Sequence, residues 1–204
     1  MSLSVTKRLS LGFFTLVAFT VICQLLASFF ISQMEKDFYE ITEINARLQI
    51  KAAETLDVNQ EIRILYRQIV LDPPATRTRT QTAYNTAKTD LLRQIKELEP
   101  FFSNPEFPPT QEEKDAFARI KSMHIDALAA ADKVVALALA DQLEGARLVI
   151  TNEASPQMSK LNEQLREIVH IENRLSAKKV ERTQANIALI QKEMLVVIVI
   201  AVLV

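Results

Sequence analysis

The chain has 204 residues, enough for one domain plus membrane segments, and its 2 glycines with no tryptophan leave little of the turn chemistry that tightly linked strands need. Lys and Arg number 24 against 25 Asp and Glu, a formal net charge of -1 that argues against a general nucleic-acid binder. The single cysteine, Cys23, rules out an intrachain disulfide and, lying in the most apolar stretch, gives no metal site. Ala, Leu, Glu, Gln, Lys and Arg dominate, so the expected fold class is all-α.

Residues 1–8 form a short basic tip with Lys7 and Arg8. Residues 9–31, LSLGFFTLVAFTVICQLLASFFI, carry no charge, and at ~1.5 Å per residue they reach about 34 Å, enough for a hydrocarbon core of about 30 Å. No acid occurs before Glu35, so the positive-inside rule places the N-terminus in the cytoplasm and the following domain outside, with residues 9–32 as a transmembrane helix. A cleaved signal peptide is the rival reading. Its apolar core spans only about 7–15 residues, and Phe29-Phe30-Ile31 spoils the cleavage site after Ala27-Ser28.

A sensor domain is expected over residues 33–193, with helices at about 33–72, 76–102, 110–140 and 142–193. In the first, Ile41, Ile44, Leu48, Ala52, Thr55, Val58, Ile62, Leu65 and Ile69 recur at helical spacing until Asp72-Pro73-Pro74 ends it. Tyr84, Ala87, Leu91, Ile95, Leu98 and Phe102 share a face of the second. The loop PFFSNPEFPP follows, and Thr110 with Glu113 is a capping box opening the third helix. Phe117, Ile120, Met123, Ala127, Ala131, Val134 and Leu137 carry its stripe. Leu161, Leu165, Ile168, Glu172, Leu175 and Lys179 carry that of the fourth, where Pro156 predicts a kink or local unwinding. Four such stripes with short connections predict an antiparallel up-down four-helix bundle. The apolar run 194–204, MLVVIVIAVLV, is expected to be the start of a second transmembrane helix, truncated by the chain end.

Enzyme signatures are missing. Gly12 and Gly145 make no phosphate loop, and there is no HExxH, CxxC or GxSxG. His124 and His170 stand alone as structural or surface residues, and no cofactor or metal is expected. Charge is more informative. Arg63, Arg67, Arg77, Arg79 and Lys88 face a single acid, Asp72, between residues 62 and 89. Arg63 and Arg67 are one turn apart, with Tyr66 beside them, and such a pair can fork onto a carboxylate. Asn59 adds an amide, and antiparallel packing brings Thr151 and Ser155 of the fourth helix into the same half of the bundle. The bland reading is a solvated basic surface.

Three stretches, LSVTKRLSLGFF at the start, EIRILYRQIVLDPP at the end of the first helix and DQLEGARLVITNEASPQMSKLNEQL leading into the fourth, are similar to the N-terminal part of methyl-accepting chemotaxis proteins. The resemblance covers nearly the whole chain and rests on order, lengths and topology. It implies a homodimeric receptor in the bacterial inner membrane with a periplasmic sensor. Its ligand would sit near the membrane-distal dimer interface, between the first helix and the start of the fourth. Di- and tricarboxylates, amino acids and aromatic acids are the ligand classes it implies. Arg63 and Arg67 match the family's first-helix arginines, and Thr151 and Ser155 its fourth-helix donors. Output would pass to a cytoplasmic adaptor and histidine kinase through a C-terminal half beyond Val204. The same domain type also fronts histidine kinases and diguanylate cyclases. A membrane-anchored helical protein without a ligand is the remaining alternative.

Overall fold

The computed structural model describes the backbone of residues 5–203 and the side chains of residues 10, 12–14, 16–193, 195 and 196. The expected tip at residues 1–8 lies partly outside the described residues, as do most side chains of the run 194–204. Six α-helices are described: α1 (Val5–Tyr39), α2 (Ala46–Leu71), α3 (Pro74–Leu98), α4 (Gln111–Leu139), α5 (Leu143–Val149) and α6 (Ser155–Leu203). No strand occurs among the described residues. A π-helical segment, Glu40–Asn45, links α1 to α2, and a second, Ile150–Ala154, links α5 to α6.

The chain divides into two compact units. Residues 43–174 form one, and residues 1–42 with 175–204 the other. The expected sensor domain, residues 33–193, takes in the whole of the first unit and parts of the second.

In the bundle unit, neighbours are antiparallel. Lys51 on α2 pairs with Glu97 on α3 at 3.1 Å, Lys88 on α3 with Asp132 on α4 at 2.6 Å, and Lys133 on α4 with Glu153 before α6 at 2.7 Å. Asn59 of α2 bonds to Met158 and Asn162 of α6, which closes the ring. Exposed pairs of this kind set register more than they stabilise. Stability comes from the interior: Ile62, Tyr66 and Ile69 of α2, Tyr84, Leu91 and Leu98 of α3, Ile120 of α4, and Met158, Leu161, Leu165, Ile168 and Ile171 of α6 are buried. Each large apolar side chain removed from water contributes about 1.5–3 kcal/mol. Ala127, Ala131 and Ala138 on α4 are also buried, and their small size lets α4 lie directly against α2 across the bundle. The four-helix fold is thus an all-α antiparallel up-down bundle.

Local chemistry accounts for the helix ends. Pro73 and Pro74 stop α2 and start α3, where a missing N–H costs nothing. Thr110 Oγ1 accepts the Glu113 N–H at 3.3 Å while Glu113 Oε2 accepts the Thr110 N–H at 2.6 Å, the capping box read from sequence. Beyond Leu98 the chain tightens into a 3-10 turn, Glu99–Ser103, and Phe102 stacks on Phe117 with ring centroids 4.3 Å apart. The unwinding expected from Pro156 lies just before it. Pro156 has no N–H for the Asn152 carbonyl, and the Ser155 N–H reaches back five residues to the Ile150 carbonyl. The Glu40–Asn45 segment carries no such marker. Thr42 Oγ1 donates to the Phe38 carbonyl at 2.8 Å, competing with the helical ladder.

In the other unit, α1 and the last part of α6 run antiparallel. Lys179 Nζ lies 2.5 Å from Glu40 Oε1, and Gln33 Nε2 donates to the buried Asp37 at 3.1 Å. One helix here is long and apolar enough to cross a membrane, and Phe13, Phe14, Leu25 and Phe29 on it are exposed.

Burial first, then the 2.8 Å hydrogen bond donated to Asp132 Oδ1, hold the Tyr84 phenol well above its usual range. The folded chain therefore keeps this proton at a pH where the unfolded phenol, with a pKa near ~10, has lost it. The stability linked to it is complete below about pH 10 and declines above. Tyr84→Phe is expected to cost about 1 kcal/mol near neutrality, the scale of one net hydrogen bond, with the deficit shrinking above about pH 10. Thermal melts of both chains across that range check this, and a constant deficit refutes it.

Candidate functional site

The five basic residues singled out in the sequence do different work. Arg77 is 6% exposed. Its Nε donates to the Asp72 carbonyl at 3.0 Å, and its Nη1 donates to the Ala138 carbonyl at 3.0 Å and to Asp141 Oδ1 at 2.8 Å. It therefore ties the α2–α3 turn to the end of α4, where Asp141 takes a positive φ of 59°. Lys88 is held by Asp132, which also accepts from Tyr84. These two cations are structural.

Arg63 and Arg67 are placed otherwise. Both lie on α2, one turn apart. Arg67 Nη2 donates to Ser155 Oγ at 2.9 Å, and the Tyr66 hydroxyl lies 3.4 Å from the same Oγ. The Arg67 guanidinium sits 5.9 Å from the centre of the Tyr66 ring. Tyr66 itself is buried, so only its hydroxyl end reaches this cluster. Arg63, one turn earlier, is half-buried, and its Nε is buried without a hydrogen-bond partner. The nearest acids in the chain that leads into α6 are taken: Glu144 by Arg147 at 2.7 Å and Glu153 by Lys133 at 2.7 Å. Among the described residues neither Arg63 nor Arg67 has a carboxylate.

Thr151 and Asn59 are the outliers of the expected set. Thr151 is exposed on the π-helical segment, one turn before Ser155, and its hydroxyl is donated to the Arg147 carbonyl at 3.1 Å. It can still accept a hydrogen bond. Asn59 is fully buried, and its Nδ2 donates to the Met158 carbonyl at 3.3 Å and to Asn162 Oδ1. Its Nδ2 is committed inside the core, a place that its apolar-stripe neighbours Thr55 and Ile62 could have signalled, while its Oδ1 is buried without a hydrogen-bond partner. Asn162, its partner, went unnoticed because a lone Asn on a helix gives no sign of what faces it.

Two guanidinium groups one turn apart, one bonded to a neutral hydroxyl and the other with a buried Nε that has no partner, carry positive charge that no carboxylate answers among the described residues. The Tyr66 and Ser155 hydroxyls can turn to donate or accept. Arg77→Met is expected to lower stability by about 2 kcal/mol, because it strands carbonyls and removes charged hydrogen bonds, whereas Arg79→Ala on the exposed face stays within about 0.5 kcal/mol. Urea titrations of the two variants check this, and equal midpoints refute the division of the basic zone.

Comparison with known families matches residues 2–187 to the model described as a four helix bundle sensory module for signal transduction. Among curated proteins and solved structures, none matches at a significant level. The matched span takes in the apolar first helix, the whole bundle and the Arg63–Arg67–Ser155 cluster, and the observed fold is the one that the family's description names. The chain belongs to the four-helix-bundle sensory modules of methyl-accepting chemotaxis receptors.

Proposed function

We propose that the chain is the sensing part of a chemotaxis receptor of the bacterial inner membrane, anchored by residues 9–32 with its bundle in the periplasm and active as a homodimer. It detects a small organic acid or amino acid through the carboxylate. Arg63 and Arg67 bind that group, Tyr66 and Ser155 orient it, and Thr151 offers an acceptor at the edge. Asn59 acts from behind, by fixing α2 against α6. The observation that carries this reading is the Arg63 guanidinium, half-buried beside Arg67 with no carboxylate among the described residues.

In this reading, transmission begins at the proposed site. A ligand held between Arg63 and Arg67 on α2 and Ser155 on α6 favours whichever axial offset of the two helices it fits best, and so shifts a two-state population. Ser155 is the first residue of a helix that continues to Leu203, so a small slide begun there moves the whole rod. A cytoplasmic adaptor and histidine kinase would read that slide.

Arg63→Ala separates this role from a structural one. Removing a charge whose Nε lacks a partner should leave the melting temperature of the unliganded chain unchanged or slightly higher. A thermal-shift screen of organic acids and amino acids on the full chain in detergent supplies the ligand. Titration calorimetry should then show affinity roughly tenfold to a hundredfold weaker in Arg63→Ala, the worth of charge-assisted hydrogen bonds. Unchanged affinity removes Arg63 from the site, and a screen in which no carboxylate raises the melting temperature removes the ligand class.

A further inference from the structure

Two charges sit where the surroundings are apolar. A groove of about 350 Å³ between α1 and α6 is walled by Phe19, Ile22, Leu26 and Val196, with Lys192 and Glu193 at its rim. Phe19 and Leu26 belong to the charge-free run 9–31. At ~1.5 Å per residue they lie about 7–18 Å along the helix from Ile31. Lys192 and Glu193 are therefore level with the interior of that run, not with its edge. On α6 itself the residues before and after Gln191-Lys192-Glu193 are apolar, IALI on one side and MLVV on the other. An ionisable side chain at such a level is costly and marks a place where it meets a partner. Both side chains are exposed, and neither has a hydrogen bond or ion pair among the described residues. As sequence neighbours on a helix they do not face each other, so they do not neutralise one another.

We propose that this groove binds a zwitterionic phospholipid with a primary-amine headgroup, its phosphate on Lys192, its ammonium on Glu193 and an acyl chain along Phe19, Ile22, Leu26 and Val196. The proposal rests on reading α1 as a membrane span. Charge complementarity selects the occupant. The rim carries one cation and one anion, which matches a headgroup with one of each. A net-anionic headgroup meets repulsion from Glu193, and a quaternary ammonium has no N–H to donate to it. The lysine stem is long enough to lie along the groove wall while its ammonium reaches up toward the phosphate level.

The test uses the full chain in nanodiscs with equal amounts of phosphatidylethanolamine, phosphatidylcholine and phosphatidylglycerol of matched acyl chains. After transfer to mild detergent, retained lipids are counted by native mass spectrometry. The ethanolamine lipid should be retained roughly threefold or more over the choline lipid, the scale of a partly exposed ion pair. That preference should vanish in Glu193→Gln, and Lys192→Gln should retain less of every phospholipid, with helicity unchanged in both. Equal retention of the three lipids, a preference for the glycerol lipid, a preference that survives Glu193→Gln, or a lipid-free dimer overturns the proposal. Carbonate extraction of the same chain from membranes separates the two readings. A chain released into the aqueous phase defeats the membrane span and the lipid site together, while one that stays in the bilayer without lipid preference defeats the lipid site alone.

Discussion

The bundle depends on one polar contact inside an apolar interior. Asn59 is fully buried and gives its amide protons to the Met158 carbonyl and to Asn162. The Asn59 Oδ1 already stays buried without a partner, so an alignment of α2 against α6 that lost the Nδ2 bonds as well would strand the whole amide. Aliphatic stripes alone would tolerate sliding by a whole turn, since Ile62, Ile69, Leu161, Leu165 and Ile168 are nearly interchangeable as surfaces. The amide contact selects one turn among several. Arg67 then falls opposite Ser155, and Tyr66 brings its hydroxyl to the same atom.

Under the proposed function, the helix must hold its register and still shift under a ligand. The seam between α2 and α6 divides these demands by position. Asn59 and Asn162 hold it from within, where water does not reach. Arg63 and Arg67 lie toward the α2–α3 turn, and Arg63 has capacity left over at Nε. Spare hydrogen-bonding capacity in a folded chain is a stability deficit that a ligand can remove, and the removal is a source of binding energy. Arg77 is the contrast across the α2–α3 turn: the same guanidinium is held by Asp72, Ala138 and Asp141 through its Nε and Nη1.

Much of the fold was legible because helical periodicity is a property of neighbouring residues. The stripe Tyr84, Ala87, Leu91, Ile95 and Leu98 is buried along its whole length, and Thr110 with Glu113 caps α4 in the expected manner. Pro156 pointed to the unwound turn within a few residues. What escaped depends on partners distant in sequence. Nothing local marks Arg77 as buried and Arg63 as half-free, since both are arginines at the same end of the bundle. Asn59 looks like a free amide donor in the sequence, which does not say that Met158 and Asn162 lie across from it. The Glu40–Asn45 π segment escaped for a different reason. No proline marks it, and a threonine hydroxyl bonding back to a carbonyl is too common to single it out.

The turn at Ile150–Ala154 has a consequence for how this architecture can diversify. Buried positions along this side of the bundle run Ala146, Val149, Ala154, Met158 and Leu161, so one step is five residues where a plain helix takes three or four. The surplus residue bulges outward, directly beside Ser155. Loss of one residue there restores an ordinary turn and leaves the inward-facing series in phase on both sides. The stretch beside Ser155 is thus the stretch where the chain can change length without disturbing its interior. Surface chemistry can drift there while the scaffold stays constant.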